Sequence, residues 1–175
     1  MNSAWGVPFP VPIVNQFRYG ALVLQGASPE LIELQFTDTN TSSVLATELA
    51  QPRFLGGSYT VGNDQQSGVT GNAVQIYGGG TGSIPILFED SEFISTNRGC
   101  RNQDNGRSAV WIEESFAEFK DITVISGDFG LSYRSSAGKV SGSTINVNCN
   151  GVDINGMISV GANEYAANVS GNTIT

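Results

Sequence analysis

Gly130-Leu131-Ser132-Tyr133 and Gly151-Val152-Asp153-Ile154 stand 21 residues apart and share one alternating pattern. Ala109-Val110-Trp111-Ile112 lies 21 residues before the first of them, and Ala73-Val74-Gln75-Ile76 a further 36. Alternation with a period of two marks a strand with one buried face. Val74, Val110, Leu131 and Val152 take one inward position of this strand, and Ile76, Ile112, Tyr133 and Ile154 the next. A second strand follows each copy: Asp90-Ser91-Glu92-Phe93-Ile94, Asp121-Ile122-Thr123-Val124-Ile125, Gly142-Ser143-Thr144-Ile145-Asn146 and Gly171-Asn172-Thr173-Ile174-Thr175. Gly57-Ser58-Tyr59-Thr60-Val61 is an earlier member of that second set. Its inward residues Tyr59, Phe93, Val124, Ile145 and Ile174 are spaced 34, 31, 21 and 29. Turn formers such as Asn105-Gly106 and Ser126-Gly127-Asp128 separate the strands.

A repeat of about 21 residues with two or three short strands, no helix and variable insertions predicts a β-solenoid. One coil cannot bury its own apolar side. Stacking coils pairs each strand with its equivalent and closes a core, and insertions fall in turns, where added length costs little. A β-sandwich is the alternative, since it also has short alternating strands at regular spacing. It does not require equivalent residues to recur in the same order.

Composition agrees. The chain has 175 residues, enough for one core. Gly, Ser, Thr and Asn make up 68 of them, yet 39 % are hydrophobic, which sets the chain apart from disordered sequences. Lys and Met number two each, so helix formers are scarce. There is no histidine, which excludes a Ser-His-Asp triad, a His-ligated metal and a His general base. Eight basic against sixteen acidic residues, a net charge of −8, argue against nucleic-acid binding. No apolar run approaches the ~20 residues of a membrane helix, and no signal peptide is expected, since Met1-Asn2-Ser3-Ala4-Trp5 has no basic start and no apolar stretch before a small-residue site. Cys100 and Cys149 make neither a zinc site nor a disulfide framework and are expected as free thiols in a reduced compartment. Asn40-Thr41-Ser42 and Asn168-Val169-Ser170 match the glycosylation pattern by chance on this view.

Residues 1–19 differ from the rest. Val7-Pro8-Phe9-Pro10-Val11-Pro12-Ile13-Val14 places proline at every second position, which forbids a helix or a central strand. We expect an extended apolar arm over 1–19, with Trp5, Pro8, Phe9, Pro10, Pro12 and Ile13 as its assembly contacts, and a repeat domain over 20–175. Such an arm lies either along its own body or along a neighbouring chain.

Gly151-Val152-Asp153-Ile154, followed by Val169-Ser170-Gly171-Asn172-Thr173-Ile174, resembles a coil of the single-stranded right-handed parallel β-helix. That family includes pectate-lyase-like enzymes and the tailspikes and related virion proteins of bacteriophages. The resemblance covers residues 70–175, and 20–70 more weakly. The family's catalytic clusters of aspartates, or of aspartates with arginine or lysine, have no match here, so the resemblance implies a non-enzymatic member. It implies a trimeric virion surface protein made in the host cytoplasm. One form is a capsid decoration protein whose arm binds the major capsid protein. The other is a tail component that binds a host-surface glycan. The alternative is a polysaccharide lyase or hydrolase, or a carbohydrate-binding fragment of one.

Stacked in register, the four V-x-I strands present two outward rows: Gln75, Trp111, Ser132, Asp153 and Tyr77, Glu113, Arg134, Asn155. Strands lie ~4.8 Å apart, so Glu113 and Arg134 are expected to pair. Trp111, Glu113, Arg134, Asp153 and Tyr77 form the candidate glycan face, with an indole for a sugar ring and carboxylates for its hydroxyls. The favoured role of Trp111 is packing under a loop or against another chain. The backbones of Glu113 and Asp153 should lie ~11 Å apart, wide for a glycosidase pair. No catalytic residue, metal ligand or cofactor is assigned. Thr123, Thr144 and Thr173 form a further row, expected as ordinary strand chemistry, and Gly78-Gly79-Gly80 is expected as a flexible insertion.

Overall fold

Short alternating segments divided by turn residues give strands throughout the computed structural model. It describes residues 13–15, 22–39, 42–61, 72–95, 108–126, 129–160 and 162–175. The strands come in circuits of three. The first circuit is β1 (Ile13–Asn15), β2 (Leu22–Gln25) and β3 (Glu30–Ile32). The second is β4 (Gln35–Thr39), β5 (Ser42–Thr47) and β6 (Arg53–Leu55), and the third β7 (Ser58–Val61), β8 (Asn72–Tyr77) and β9 (Ile86–Glu89). Next come β10 (Glu92–Ser95), β11 (Ser108–Glu113) and β12 (Phe116–Lys120), then β13 (Thr123–Ser126), β14 (Phe129–Arg134) and β15 (Ala137–Ser141). The last complete circuit opens with β16 (Thr144–Val147) and β17 (Val152–Asn155). A hairpin, β18 (Ile158–Val160) and β19 (Asn163–Tyr165), interrupts it before β20 (Ala167–Ser170), and β21 (Thr173–Ile174) follows.

Each strand pairs in parallel with its equivalents in the circuits before and after. Three sheets result: A (β1-β4-β7-β10-β13-β16-β21), B (β2-β5-β8-β11-β14-β17) and C (β3-β6-β9-β12-β15-β20). Only the hairpin is antiparallel among the described residues. The chain is therefore all-β with parallel sheets, a topology compatible with a β-helix. The expected registers hold. Val74, Val110, Leu131 and Val152 are successive partners in sheet B, and Tyr59, Phe93, Val124, Ile145 and Ile174 in sheet A. Val44 and Ala46 extend the sheet B rows by one more strand. One departure is at the end. Ile154 keeps the register position of inward Tyr133 but is 44 % exposed, because no described strand pairs with β17 on its far side, and Val152 is only partly buried.

The core runs through the middle of the three sheets. Phe54, Phe88 and Phe119 of sheet C stack ring on ring, with centroids 4.3 and 5.2 Å apart. Tyr59 and Phe93 of sheet A meet them edge-on. Such pairs add ~0.5–1.5 kcal/mol each beyond burial. The Tyr133 hydroxyl donates to the Ala117 carbonyl at 3.1 Å, whereas the buried Tyr59 hydroxyl has no partner among the described residues. Burial pushes both phenols above the ordinary tyrosine value.

The three corners differ. From C to A the connection is two residues long in every circuit. Its first residue is left-handed each time: Glu33, Gly56, Asp90, Asp121, Gly142 and Gly171. From A to B the connection ranges from two to twelve residues. Both cysteines fall in A-to-B connections, Cys100 after β10 and Cys149 after β16. Cys149 is disulfide-bonded, which corrects the expectation of free thiols. Cys100 lies outside the described residues.

The B-to-C connection after β8 holds Gly78-Gly79-Gly80, and it is packed rather than flexible. Gly79 donates to Ser115 Oγ at 3.1 Å and Gly80 to the Ala50 carbonyl at 2.8 Å. A Cβ on Gly80, at φ 69°, would stand 2.2 Å from the Phe116 carbonyl oxygen, so no other residue fits there without a shift. Of the expected arm, Ile13 belongs to β1, which pairs with β4. Trp5, Pro8, Phe9, Pro10 and Pro12 lie outside the described residues.

Candidate functional site

The candidate site is the outer face of sheet B, carried by β8, β11, β14 and β17. Alternation along each strand turns one set of side chains inward and the next outward. The pairing brings Gln75, Trp111, Ser132 and Asp153 into one row and Tyr77, Glu113, Arg134 and Asn155 into the other. All five expected site residues therefore stand on one face, as the sequence implied.

Their bonding is different from the expected one. Glu113 and Arg134 are adjacent in register but form no ion pair. Arg134 instead reaches the neighbouring row, where Nη2 donates to Asp153 Oδ2 at 2.9 Å. Its Nε donates to Ser132 Oγ at 3.2 Å, which leaves Ser132 buried beneath it. Its guanidinium also lies over the Trp111 ring, 5.3 Å from the centroid. Glu113 takes the indole instead: Trp111 Nε1 donates to Glu113 Oε2 at 3.1 Å. The reason is geometric. A long guanidinium chooses among several acceptors on two rows, and one position satisfies a carboxylate, a hydroxyl and a π-face together.

This arrangement limits the chemistry. Arg134 covers one face of the indole on which a sugar ring would stack, and the indole N–H is already bonded. Glu113 and Asp153 stand two strands apart, with Arg134 on the strand between them. Tyr77 and Asn155 are the exposed groups of the strip. Burial, and then the charge of Glu113, raise the Tyr77 phenol above its ordinary value, so it remains a neutral hydroxyl at pH 7.

Sequence reasoning missed a row of serines at the edge of this face. Ser115 and Ser136 close the B-to-C corner. Ser136 Oγ accepts from the Ser115 N–H at 3.1 Å and donates to the Arg134 carbonyl at 2.7 Å. Ser115 Oγ donates likewise to the Glu113 carbonyl at 2.6 Å. Their spacing of 21, equal to the strand repeat, was the available signal.

Among the described residues, no three His, Cys, Asp or Glu side chains gather to hold a metal ion, and no helix is long and apolar enough to cross a membrane. Comparison of the chain with protein-family models, curated proteins and solved structures finds no match.

Proposed function

We propose that the chain is a non-enzymatic structural protein of a bacteriophage virion, built as a single right-handed parallel β-helix and assembled as a homotrimer. The right hand follows from the strong preference of parallel crossover connections for that sense. Capsid decoration is the favoured role, with the Pro-rich arm over residues 1–19 as the anchor to a capsid protein. A tail-borne, glycan-binding knob is the other form of the same proposal.

The observation that carries the reading is the outer face of sheet B. Its charged and aromatic groups are bound to one another rather than turned towards a substrate: Arg134 to Asp153, Ser132 and Trp111, and Trp111 to Glu113. A face so arranged is a rigid surface, suited to display or contact. Low charge and frequent small polar residues fit a protein that stands in solvent as part of an assembly.

The test is the native mass by light scattering over a range of concentrations. A stable trimer of 18.4 kDa chains is expected. A single copy at every concentration overturns the assembly. Turnover of an acidic polysaccharide by the pure protein, lost in Glu113→Gln or Asp153→Asn, would replace the proposal with a polysaccharide-degrading enzyme.

A further inference from the structure

The residue that follows each strand of sheet B is left-handed and carries the backbone ladder one step beyond the strand. The Glu48 N–H donates to the Tyr77 carbonyl at 3.1 Å and the Gly78 N–H to the Glu113 carbonyl at 3.1 Å. The Glu114 N–H donates to the Arg134 carbonyl at 3.0 Å and the Ser135 N–H to the Asn155 carbonyl at 2.8 Å. Gly156, at φ 85° after β17, is the next member of this series. Its N–H has no acceptor among the described residues, since no described strand pairs with β17 on its far side. A trans peptide sets its N–H and C=O on opposite sides. The Asn155 carbonyl points back to Ser135, so the Gly156 N–H points out from the open edge. Asn155 and Gly156 are both exposed.

An asparagine amide carbon lies within reach of the next residue's backbone nitrogen, and a glycine there puts no Cβ in the way. The chain has two other Asn-Gly pairs, Asn105-Gly106 and Asn150-Gly151. Asn105-Gly106 lies outside the described residues. Asn150-Gly151 is clamped. The Asn150 carbonyl accepts from the Gly130 N–H at 3.0 Å, and the Gly151 carbonyl from the Leu131 N–H at 2.9 Å. Gly151 is buried, and a Cβ on it would stand 2.5 Å from Ile174 Cγ2. That peptide cannot turn towards its side chain without breaking backbone bonds on both sides. Among the described residues, the Asn155-Gly156 peptide is held only through the Asn155 carbonyl.

We propose that Asn155-Gly156 is a site of spontaneous covalent modification, at which the chain deamidates itself. The Gly156 nitrogen gives up its proton and bonds to Asn155 Cγ. The Cγ–Nδ2 bond breaks, and the amide group leaves as ammonia with that proton. Water opens the resulting five-membered succinimide. Attack at Cγ leaves aspartate, and attack at the main-chain carbonyl carbon leaves isoaspartate. Either product adds a carboxylate on the direct register partner of Arg134, which already binds Asp153. The isoaspartyl product also lengthens the backbone by a carbon, which displaces the carbonyl that Ser135 bonds. The change is one-way, and it falls on the outermost strand of the candidate face.

The test incubates the full chain in mildly alkaline buffer and follows it by fragment-ion mass spectrometry, which tells Asn150 from Asn155. Each deamidation shows as the small mass gain of –NH2 replaced by –OH. A second sample is incubated in denaturant with reductant. In the folded chain the gain is expected at Asn155, as two products of equal mass that separate by chromatography. It should build up about tenfold faster there than at Asn150, whose reaction waits on local opening. In denaturant the two rates should come together. No gain at Asn155 in the folded chain overturns the proposal, and so does an equal gain at Asn150. A preference for Asn155 that persists undiminished in denaturant also overturns it, because the neighbouring residues rather than the open edge would then select the site.

Discussion

The corner from sheet C to sheet A and the corner from sheet A to sheet B perform the same task under different rules. The first is two residues long in every circuit and begins with a left-handed residue. The second varies from two residues to twelve. In the first, the backbone ladder does not stop at the turn. Asp90 donates to the Lys120 carbonyl, Asp121 to the Ser141 carbonyl, and Thr123 to the Ser91 carbonyl. The turn is itself stacked on its equivalents, so C and A strands are joined as a nearly continuous unit. Register is thus set at one corner, and variation in length is admitted at another.

Changes in length test this difference most severely. One residue inserted between Asp121 and Ile122 displaces β13 by one place and turns Val124 outward and Ile125 inward. We expect cooperative thermal unfolding to disappear. The same insertion between β7 and β8 should cost under ~1 kcal/mol, as loop-closure entropy grows slowly with length. Equal losses at the two places would erase the distinction.

A smaller effect is expected from the tie on the variable corner. Reducing the disulfide of Cys149 should lower stability by about 2–4 kcal/mol, read as a shift in the denaturant midpoint with reductant present. An unmoved midpoint would mean that the A-to-B connections need no fastening.

On the constant corner, Ser143 is buried and its Oγ both accepts from the Ile122 N–H at 3.3 Å and donates to the Ser141 carbonyl at 2.9 Å. Ser143→Ala strands a buried donor and should cost about 1–3 kcal/mol in equilibrium unfolding. The smallest effect has the opposite sign. Asp121 is left-handed at φ 53°, where a side chain is strained. Asp121→Gly should gain up to about 1 kcal/mol. A loss in the same measurement would show that the Asp121 carboxylate holds the turn in a way that outweighs its strain.

The registers of sheets A and B were legible in the sequence because β-strands repeat with a strict period. Val110 and Leu131, or Phe93 and Val124, can be aligned by inward position alone. Sheet C was not. Its members, such as Ile86–Glu89 and Phe116–Lys120, follow connections of unequal length that break the spacing. The five residues of the candidate face were placed correctly, but not their partners. Adjacency in register favoured Glu113 for Arg134, while the reach of a guanidinium across two rows favoured Asp153. The disulfide of Cys149 was illegible for another reason: two cysteines 49 residues apart carry no spacing signal. The exposure of Ile154 could not be read from its pattern, which is that of Ile112. Burial depends on a neighbour above as well as below.

That last point has a kinetic side. Among the described residues each strand pairs only with its equivalents in the neighbouring circuits, the hairpin β18–β19 apart, and Ile154, Val169 and Ile174 at one end of the sheets are half-exposed. A structure so connected opens from its end, one circuit after another, more readily than from its middle. Amide protons on β17, β20 and β21 should exchange with solvent first, those on β14, β15 and β16 later, and those beside Phe88 last. The order of strands along the sheets thus becomes an order in time.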